Sequence, residues 1–289
     1  MKRNIWTMVA FASFAVAGVA TALWTAPAAA TELVDNDKVQ CPTAEHTTIQ
    51  AGVDAASPGE LVLVCDGVYR EAVRIFGPGK DGVRLRAKVV HGATIKAPAG
   101  YSGTGSGGTS PGPNNTGAIV LVQEDEVEVS GFRIVGPFTG LSGSGCPEHP
   151  NEDGFGVLVT NGAVGVKVLN NFIHQIADQS AGLCDFDGFG VGVSGEARVV
   201  IGNNRIQDYR NFGVLASGEN TFVLVHHNEI IGGAVNQDAL FPRSVAQVGV
   251  SVSGAQADVN ANVITKNLGP TDVVNESAGV IVGGGAVNV

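Results

Sequence analysis

One pattern recurs through the C-terminal two thirds of the chain and restricts its fold more than any other. A glycine opens a short apolar run at Gly117, Gly156, Gly190, Gly213, Gly249 and Gly279, followed by Ala118 in the first case and by valine in the others. Each of the first five is followed 15 to 17 residues later by an isoleucine: Ile134, Ile173, Ile206, Ile230 and Ile264. Two positions before that isoleucine stands Phe132 in the first unit, then Asn171, Asn204, Asn228 and Asn262. The inner half of each unit keeps its length while the whole unit varies from 23 to 39 residues. Such self-similarity marks a stack of equivalent units.

Within a unit the apolar residues alternate: Val157 and Val159, Val166 and Val168, Ile173 and Ile176. Period-two alternation marks strands with one buried face, and Gly and Asn between the runs mark turns. Three strands and three turns per unit predict an all-β, single-stranded right-handed parallel β-helix of about six rungs. The asparagines read as a structural column. Each is placed at a tight turn, where it tolerates left-handed geometry and its amide bonds to the next rung.

Residues 1–30 read as a secretory signal: Lys2 and Arg3, an apolar run from Ile5 to Trp24, and Ala28-Ala29-Ala30 before a cleavage point. An uncleaved anchor is the rival reading of that run. Residues 31–289 then form one β-helix domain. The chain carries 27 acidic and 17 basic residues, net −10. It lacks the basic footprint of a nucleic-acid binder, and it repels polyanions at long range unless a cation intervenes. Four cysteines in an exported chain read as disulfides. The repeat places Cys146 and Cys184 in successive insertions, so the predicted pairs are Cys146–Cys184 and Cys41–Cys65.

The segments Thr48-Ile49-Gln50-Ala51-Gly52-Val53-Asp54-Ala55-Ala56, Val62-Leu63-Val64 and Gly67-Val68-Tyr69-Arg70-Glu71 resemble the opening of pectate-lyase-like β-helix proteins. The resemblance implies a short amphipathic helix capping the open end of the coil, with Ile49, Val53 and Ala56 on its buried side. It implies a fold and no single activity, since that superfamily contains lyases, hydrolases, esterases, epimerases and non-enzymes. The sharper signatures of polygalacturonases, pectin methylesterases and mannuronan epimerases are absent.

Extra residues fall at 98–116, 138–153, 178–188, 235–246 and 267–277, each after the third strand of one rung and before the first of the next. Insertions stacked on one side mark a working face. There Asp153-Gly154-Phe155-Gly156-Val157 repeats as Asp187-Gly188-Phe189-Gly190-Val191 and then as Arg210-Asn211-Phe212-Gly213-Val214. Asp153, Asp187 and Arg210 are therefore expected in one column at its lip, as candidate catalytic residues. Paired carboxylates suit acid–base work or glycoside hydrolysis. Alternatively Asp153, Asp185 and Asp187 hold Ca²⁺. The resemblance implies that use, with calcium bridging to a uronate and Arg210 as base. A third reading is a rim ion pair between Asp187 and Arg210.

Candidate substrate-binding residues are Asp185, Tyr209 and His174, with Tyr209 and Tyr101 as sugar platforms. Phe155, Phe189 and Phe212 are expected to stack inside the coil. The outward neighbours on the Gly-Val strand are uncharged: Leu158, Thr160, Gly192, Ser194, Leu215, Ser217, Ser251 and Ser253. Two functions follow. One is a secreted β-helix protein that binds or processes an extracellular polysaccharide, by lyase or hydrolase chemistry if catalytic. The other is a non-catalytic cell-envelope scaffold. Expected partners are a polysaccharide and, through an uncapped last rung, a further copy of the chain. Nucleic acid is excluded, and no membrane contact is expected after signal cleavage.

Overall fold

The computed structural model describes residues 31–99, 104–105, 117–136, 152–176, 186–233, 247–267 and 278–288. Within them the chain is a right-handed parallel β-helix of the pectin-lyase-like type, built as three parallel sheets and one short helix. Sheet 1 stacks Thr31–Val34, Leu61–Val64, Arg84–Ala87, Glu128–Ser130, Val164–Leu169, Arg198–Gly202, Phe222–His226, Gln256–Asn260 and Ala286–Asn288. Sheet 2 stacks Gly67–Arg70, Ala93–Lys96, Arg133–Val135, Phe172–Ile176, Arg205–Tyr209, Glu229–Ile231 and Val263–Thr265. Sheet 3 stacks Val73–Ile75, Ala118–Val122, Glu152–Val159, Phe186–Val193, Phe212–Ser217, Val248–Ser253 and Ala278–Gly283, and Thr104–Gly105 pairs antiparallel with its Glu152–Asp153 edge. The described residues complete seven three-strand turns, one more than the six glycines suggest. The first, Leu61 to Ile75, lacks the glycine, and the asparagine column begins only in the fourth turn, at Asn171.

The fixed distance from glycine to isoleucine has a packing cause. A Cβ at Gly156, Gly190, Gly213 or Gly249 would lie 2.5, 2.4, 2.5 and 2.3 Å from Cγ2 of Ile173, Ile206, Ile230 and Ile264. Each isoleucine methyl therefore occupies the space that the glycine leaves, and each glycine brings the opposite wall of the coil into contact. The core behind them is a column of fully buried valines and isoleucines, among them Val157, Val191, Val214, Val250, Ile173 and Ile206. Burying a side chain of this size contributes roughly 1.5–3 kcal/mol.

The asparagine column is a hydrogen-bonded ladder. Asn204 Oδ1 accepts from the backbone N–H of Asn171 at 2.9 Å and from its Nδ2 at 3.2 Å, and Asn204 Nδ2 donates to Val168 O at 2.8 Å. Asn204 in turn donates from its backbone N–H and its Nδ2 to Asn228 Oδ1, and Asn228 likewise to Asn262. The ladder starts at Asn171, whose Oδ1 accepts from the N–H of Phe132. One expectation is corrected. The left-handed residues are the ones before the ladder asparagines: Asn170, Asn203, His227 and Ala261, with φ of 56°, 55°, 54° and 53°. The left-handed bend turns the chain, and the next residue points its amide along the coil axis.

The capping helix spans Ile49–Ala55. Thr48 Oγ1 accepts from Ala51 N–H, and the Glu71 carboxylate accepts from Ile49 and Gln50 N–H at 2.8 and 2.9 Å. These bonds satisfy the donors that a helix start leaves open. Ile49, Val53 and Ala56 are buried as expected, and a Cβ at Gly52 would meet Val34 Cγ2 at 2.7 Å, so the helix sits directly on the first strands. The Cys41–Cys65 disulfide ties this cap to the end of Leu61–Val64. Tyr69 is buried below it and donates to Cys65 O at 2.9 Å. Tyr69 and Glu71 of the Gly67-Val68-Tyr69-Arg70-Glu71 motif thus plug the coil and hold its lid. Cys146 and Cys184 lie outside the described residues.

Candidate functional site

The insertions all fall at one corner, where sheet 2 passes to sheet 3. Described strands bracket them on both sides: Ala93–Lys96 and Ala118–Val122, Arg133–Val135 and Glu152–Val159, Phe172–Ile176 and Phe186–Val193. At this corner Asp153 stands directly opposite Asp187 in the parallel register, with Gly154 opposite Gly188 and Phe155 opposite Phe189. Adjacent strands lie about 4.8 Å apart. Asp153 also pairs with Thr104 of the preceding insertion. For both aspartates the description covers the backbone only, and Asp185 and Tyr101 lie outside the described residues.

Arg210 occupies the next turn. Its N–H donates to Ile176 O at 3.2 Å, and a Cβ on Gly188 would lie 3.0 Å from its own Cβ, so it flanks the strand that carries Asp187. Asn211 beside it is buried and accepts from Gly188 N–H at 3.0 Å while its own N–H donates to Gly188 O at 2.9 Å. One rung further the buried Gln247 takes this position. Its Nε2 donates to Tyr209 O at 2.8 Å, and its Oε1 has no partner among the described residues.

Two expectations about aromatics are corrected. Tyr209 is no sugar platform. It is fully buried, its hydroxyl donates to Asn267 Oδ1, and burial pushes its phenol pKa up. It points inward because it shares the register of the core residue Ile176. Phe155, Phe189 and Phe212 do stack, with ring centroids 4.8 and 5.5 Å apart, but outside the coil. They form a second apolar cluster on the outer face of sheet 3 with Ala118, Leu121, Leu158 and Leu215. A Cβ on the outward Gly192 would lie 2.5 Å from the Phe155 ring, which folds down over it. The chain bends inward at Gly156, which leaves the preceding phenylalanine on the outside. The floor of this face is uncharged: Phe155, Leu158, Phe189 and Leu215 make part of it apolar, and Thr160, Ser194, Ser251 and Ser253 add hydroxyls.

His174 lies on the outer side of sheet 2, the sheet of the isoleucine strands. It is half-buried and stacks on Phe172 at 4.3 Å. Burial lowers its pKa, Asp208 opposes that shift, and Arg133 adds to it. Arg133 and Arg205 lie over the same Phe172 ring, 5.6 and 5.5 Å from its centroid. The sequence singled out His174 but not Phe172, Arg133 and Arg205 around it, because the systematic comparison of outward positions covered only the Gly-Val strand. The same period-two reading along the isoleucine column would have exposed them.

Among the described residues, two other groups bring together side chains of metal-ligating type. In Asp35, Cys41 and Cys65 the sulfurs are consumed by the disulfide. In Glu32, Glu45 and His46 the imidazole Nε2 already meets Glu32 at 2.7 Å. Neither lies at the insertion corner.

No protein-family model matches the chain, and no curated protein sequence does. Solved structures do. Escherichia coli ybhc superposes with a TM-score of 0.51 at 14% identity, covering 91% of this chain and 72% of that one. A pectin methylesterase in complex with hexasaccharide VII gives 0.49 at 14% identity over 88% of this chain, which spans 65% of that protein's length. Pectin methylesterase PemA from Erwinia chrysanthemi gives 0.47 at 13% identity, covering 81% and 80%. At these identities the likeness is one of fold.

Proposed function

We propose that the chain is a secreted, polysaccharide-directed β-helix protein whose working side is the corner between sheets 2 and 3. Asp153, Asp187 and Arg210 are its reactive groups. The observation that carries this reading is the register of Asp153 against Asp187 with Arg210 flanking them, all at the one corner that takes every insertion. Carboxyl groups about 5–5.5 Å apart suit retaining glycoside hydrolysis, and neighbouring strands set backbones about 4.8 Å apart. In a lyase the same acids would hold Ca²⁺, which would neutralise a uronate carboxylate; Arg210 would take the C5 proton, the C–H electrons would form the C4–C5 double bond, and the C4–O electrons would leave with the departing oxygen, which takes its proton from water. The Cys41–Cys65 bond and the basic-apolar segment at residues 1–30 support export. That solved pectin methylesterases share the coil is consistent with a saccharide polymer as partner.

A second reading is a non-catalytic envelope scaffold. It is favoured by the uncharged outer face of sheet 3, where Leu121, Leu158, Gly192, Leu215 and Ser251 follow one another in register. Incubation with a panel of uronic-acid polymers, with and without Ca²⁺, separates the two. New absorbance of unsaturated ends, lost in Asp187→Ala, establishes a lyase. New reducing ends without that absorbance establish a hydrolase. No turnover on any polymer sinks the enzymatic reading.

A further inference from the structure

The outward positions of sheet 2 form two straight rows along the coil axis. One runs Val68, Thr94, Arg133, Phe172, Arg205, Glu229, Val263, and the other Arg70, Lys96, Val135, His174, Gln207, Ile231, Thr265. On five successive strands, 67–70 to 205–209, the rows turn outward Arg70, Lys96, Arg133, the Phe172–His174 stack and Arg205. Every one of these strands but the aromatic one presents a full cation, and the aromatic strand presents an imidazole. Over all seven strands the rows hold four cations and one carboxylate, Glu229, a local excess of three positive charges in a chain of net −10. Asp208, before the corner, is the other acid near His174.

The two arginines are only partly committed. Arg133 Nε donates to His91 O at 3.1 Å, and Arg205 Nε donates to Gln207 Oε1 at 3.0 Å and lies 3.6 Å from Glu229. Each keeps its guanidinium over the Phe172 ring while its terminal nitrogens donate to nothing among the described residues. Sheet 1 also turns arginines outward, but Arg86 there is tied to Glu128 at 3.2 Å. Among the described residues only Phe172 has guanidinium groups over its ring.

We infer that the outer face of sheet 2 is a binding track for an acidic polysaccharide, laid along the coil axis with its carboxylates on Arg70, Lys96, Arg133 and Arg205, the last two held in place over the Phe172 ring. The chemistry selects this occupant. A polyuronate carries one carboxylate per ring, and the track offers a cation on four of five successive strands, which are spaced about 4.8 Å apart. A guanidinium fork receives a carboxylate through two parallel bonds. The overall negative charge penalises the denser charge of a nucleic acid. The track is separate from the Asp153–Asp187 lip and does not rest on the reading proposed for it.

The test is the affinity of the full chain for polygalacturonate at low ionic strength, by titration calorimetry, with Ca²⁺ absent. Arg133→Gln/Arg205→Gln is expected to bind at least about tenfold more weakly, a loss of about 1.4 kcal/mol, and Phe172→Ala several-fold more weakly. Arg198→Gln on sheet 1 is expected to stay within about twofold, and a binding readout without Ca²⁺ keeps this outcome distinct from that of the turnover assay. All four side chains replaced lie at the surface, and thermal unfolding checks that each variant is folded. Unchanged affinity in the double arginine variant overturns the proposal. So does equal binding of fully methyl-esterified pectin, which lacks the charges, or tighter binding of double-stranded DNA at the same salt.

Discussion

Asn204→Ala tests the ladder at its centre. Asn204 is 2% exposed, and its side chain takes part in four hydrogen bonds, to Asn171 N, Asn171 Nδ2, Val168 O and Asn228 Oδ1. Truncation does not touch these groups equally. Asn171 Nδ2 keeps its bond to Val129 O, and Asn228 Oδ1 keeps the N–H of residue 204. The Asn171 N–H loses its acceptor and Val168 O loses this donor, both in a dry interior. Leaving a buried polar group unsatisfied costs about 1–3 kcal/mol, so two such groups amount to about 4 kcal/mol. For a chain of this size that lowers Tm by about 8–16 °C. Asn262 makes the equivalent bonds but is only partly buried, so water replaces part of what is lost and Asn262→Ala is expected to cost about half as much, ~2 kcal/mol. Thermal and denaturant unfolding of both variants is the assay. A loss under about 1 kcal/mol at Asn204, or an equal loss at the two sites, would refute the reasoning.

Other outcomes follow from the same contacts. Gly190→Ala puts a methyl 2.4 Å from Ile206 Cγ2 and 2.5 Å from Gly213 O, and should destabilise by about 3 kcal/mol in urea titration, against about 1 kcal/mol for Gly284→Ala, where the space is open and only the left-handed φ strains the alanine. Ala261→Gly relieves a left-handed alanine at φ 53° and should stabilise by about 0.5–1 kcal/mol in the same titration. Opening the Cys41–Cys65 bond, which spans a sequence separation of 24, should cost about 3.5 kcal/mol, read as a lower urea midpoint after reduction. His174 has a folded pKa below its ordinary 6.5 because burial favours the neutral ring. Its contribution to stability is therefore full above about pH 6.5 and is lost as pH falls towards the folded pKa, where the unfolded chain binds the proton first. The Tm of the wild type should fall more steeply on acidification than that of His174→Gln, and parallel curves would count against this.

The later turns of the coil were legible because one contact is written into the sequence twice. Contacts such as Gly190–Ile206 and Gly213–Ile230 recur at four successive rungs, from Gly156 to Gly249, so their spacing survives even where the insertions differ. The first turn, Leu61 to Ile75, was harder to count because the helix and Tyr69 fill the place of those markers. The left-handed bend was assigned one residue late. Asparagine suits both the bend and the ladder, and only His227 and Ala261, which occupy the bend without forming the ladder, separate the two roles. Tyr209 was misread because a tyrosine beside Arg210 looks like a surface residue until its register with Ile176 is known. The outward phenylalanines were misread because the bend at Gly156 breaks simple alternation. Asp153 and Asp187 were aligned correctly from the repeated Asp-Gly-Phe-Gly-Val.

The confinement of every insertion to one corner has an evolutionary consequence. Between Tyr209 and Phe212 the chain turns that corner in two residues, while between Ile176 and Phe186 it takes nine, yet the strands on either side keep the same register. Length at this corner is thus decoupled from the fit of the coil. Segments there are free to be lengthened, shortened or exchanged, while any change at the Gly–Ile contacts or the amide ladder is felt by the whole coil. A lineage built on this plan is expected to change its ligands by trading corner segments far faster than it changes its walls, and a graft of a foreign segment between Ile231 and Val248 is the place to imitate it in the laboratory.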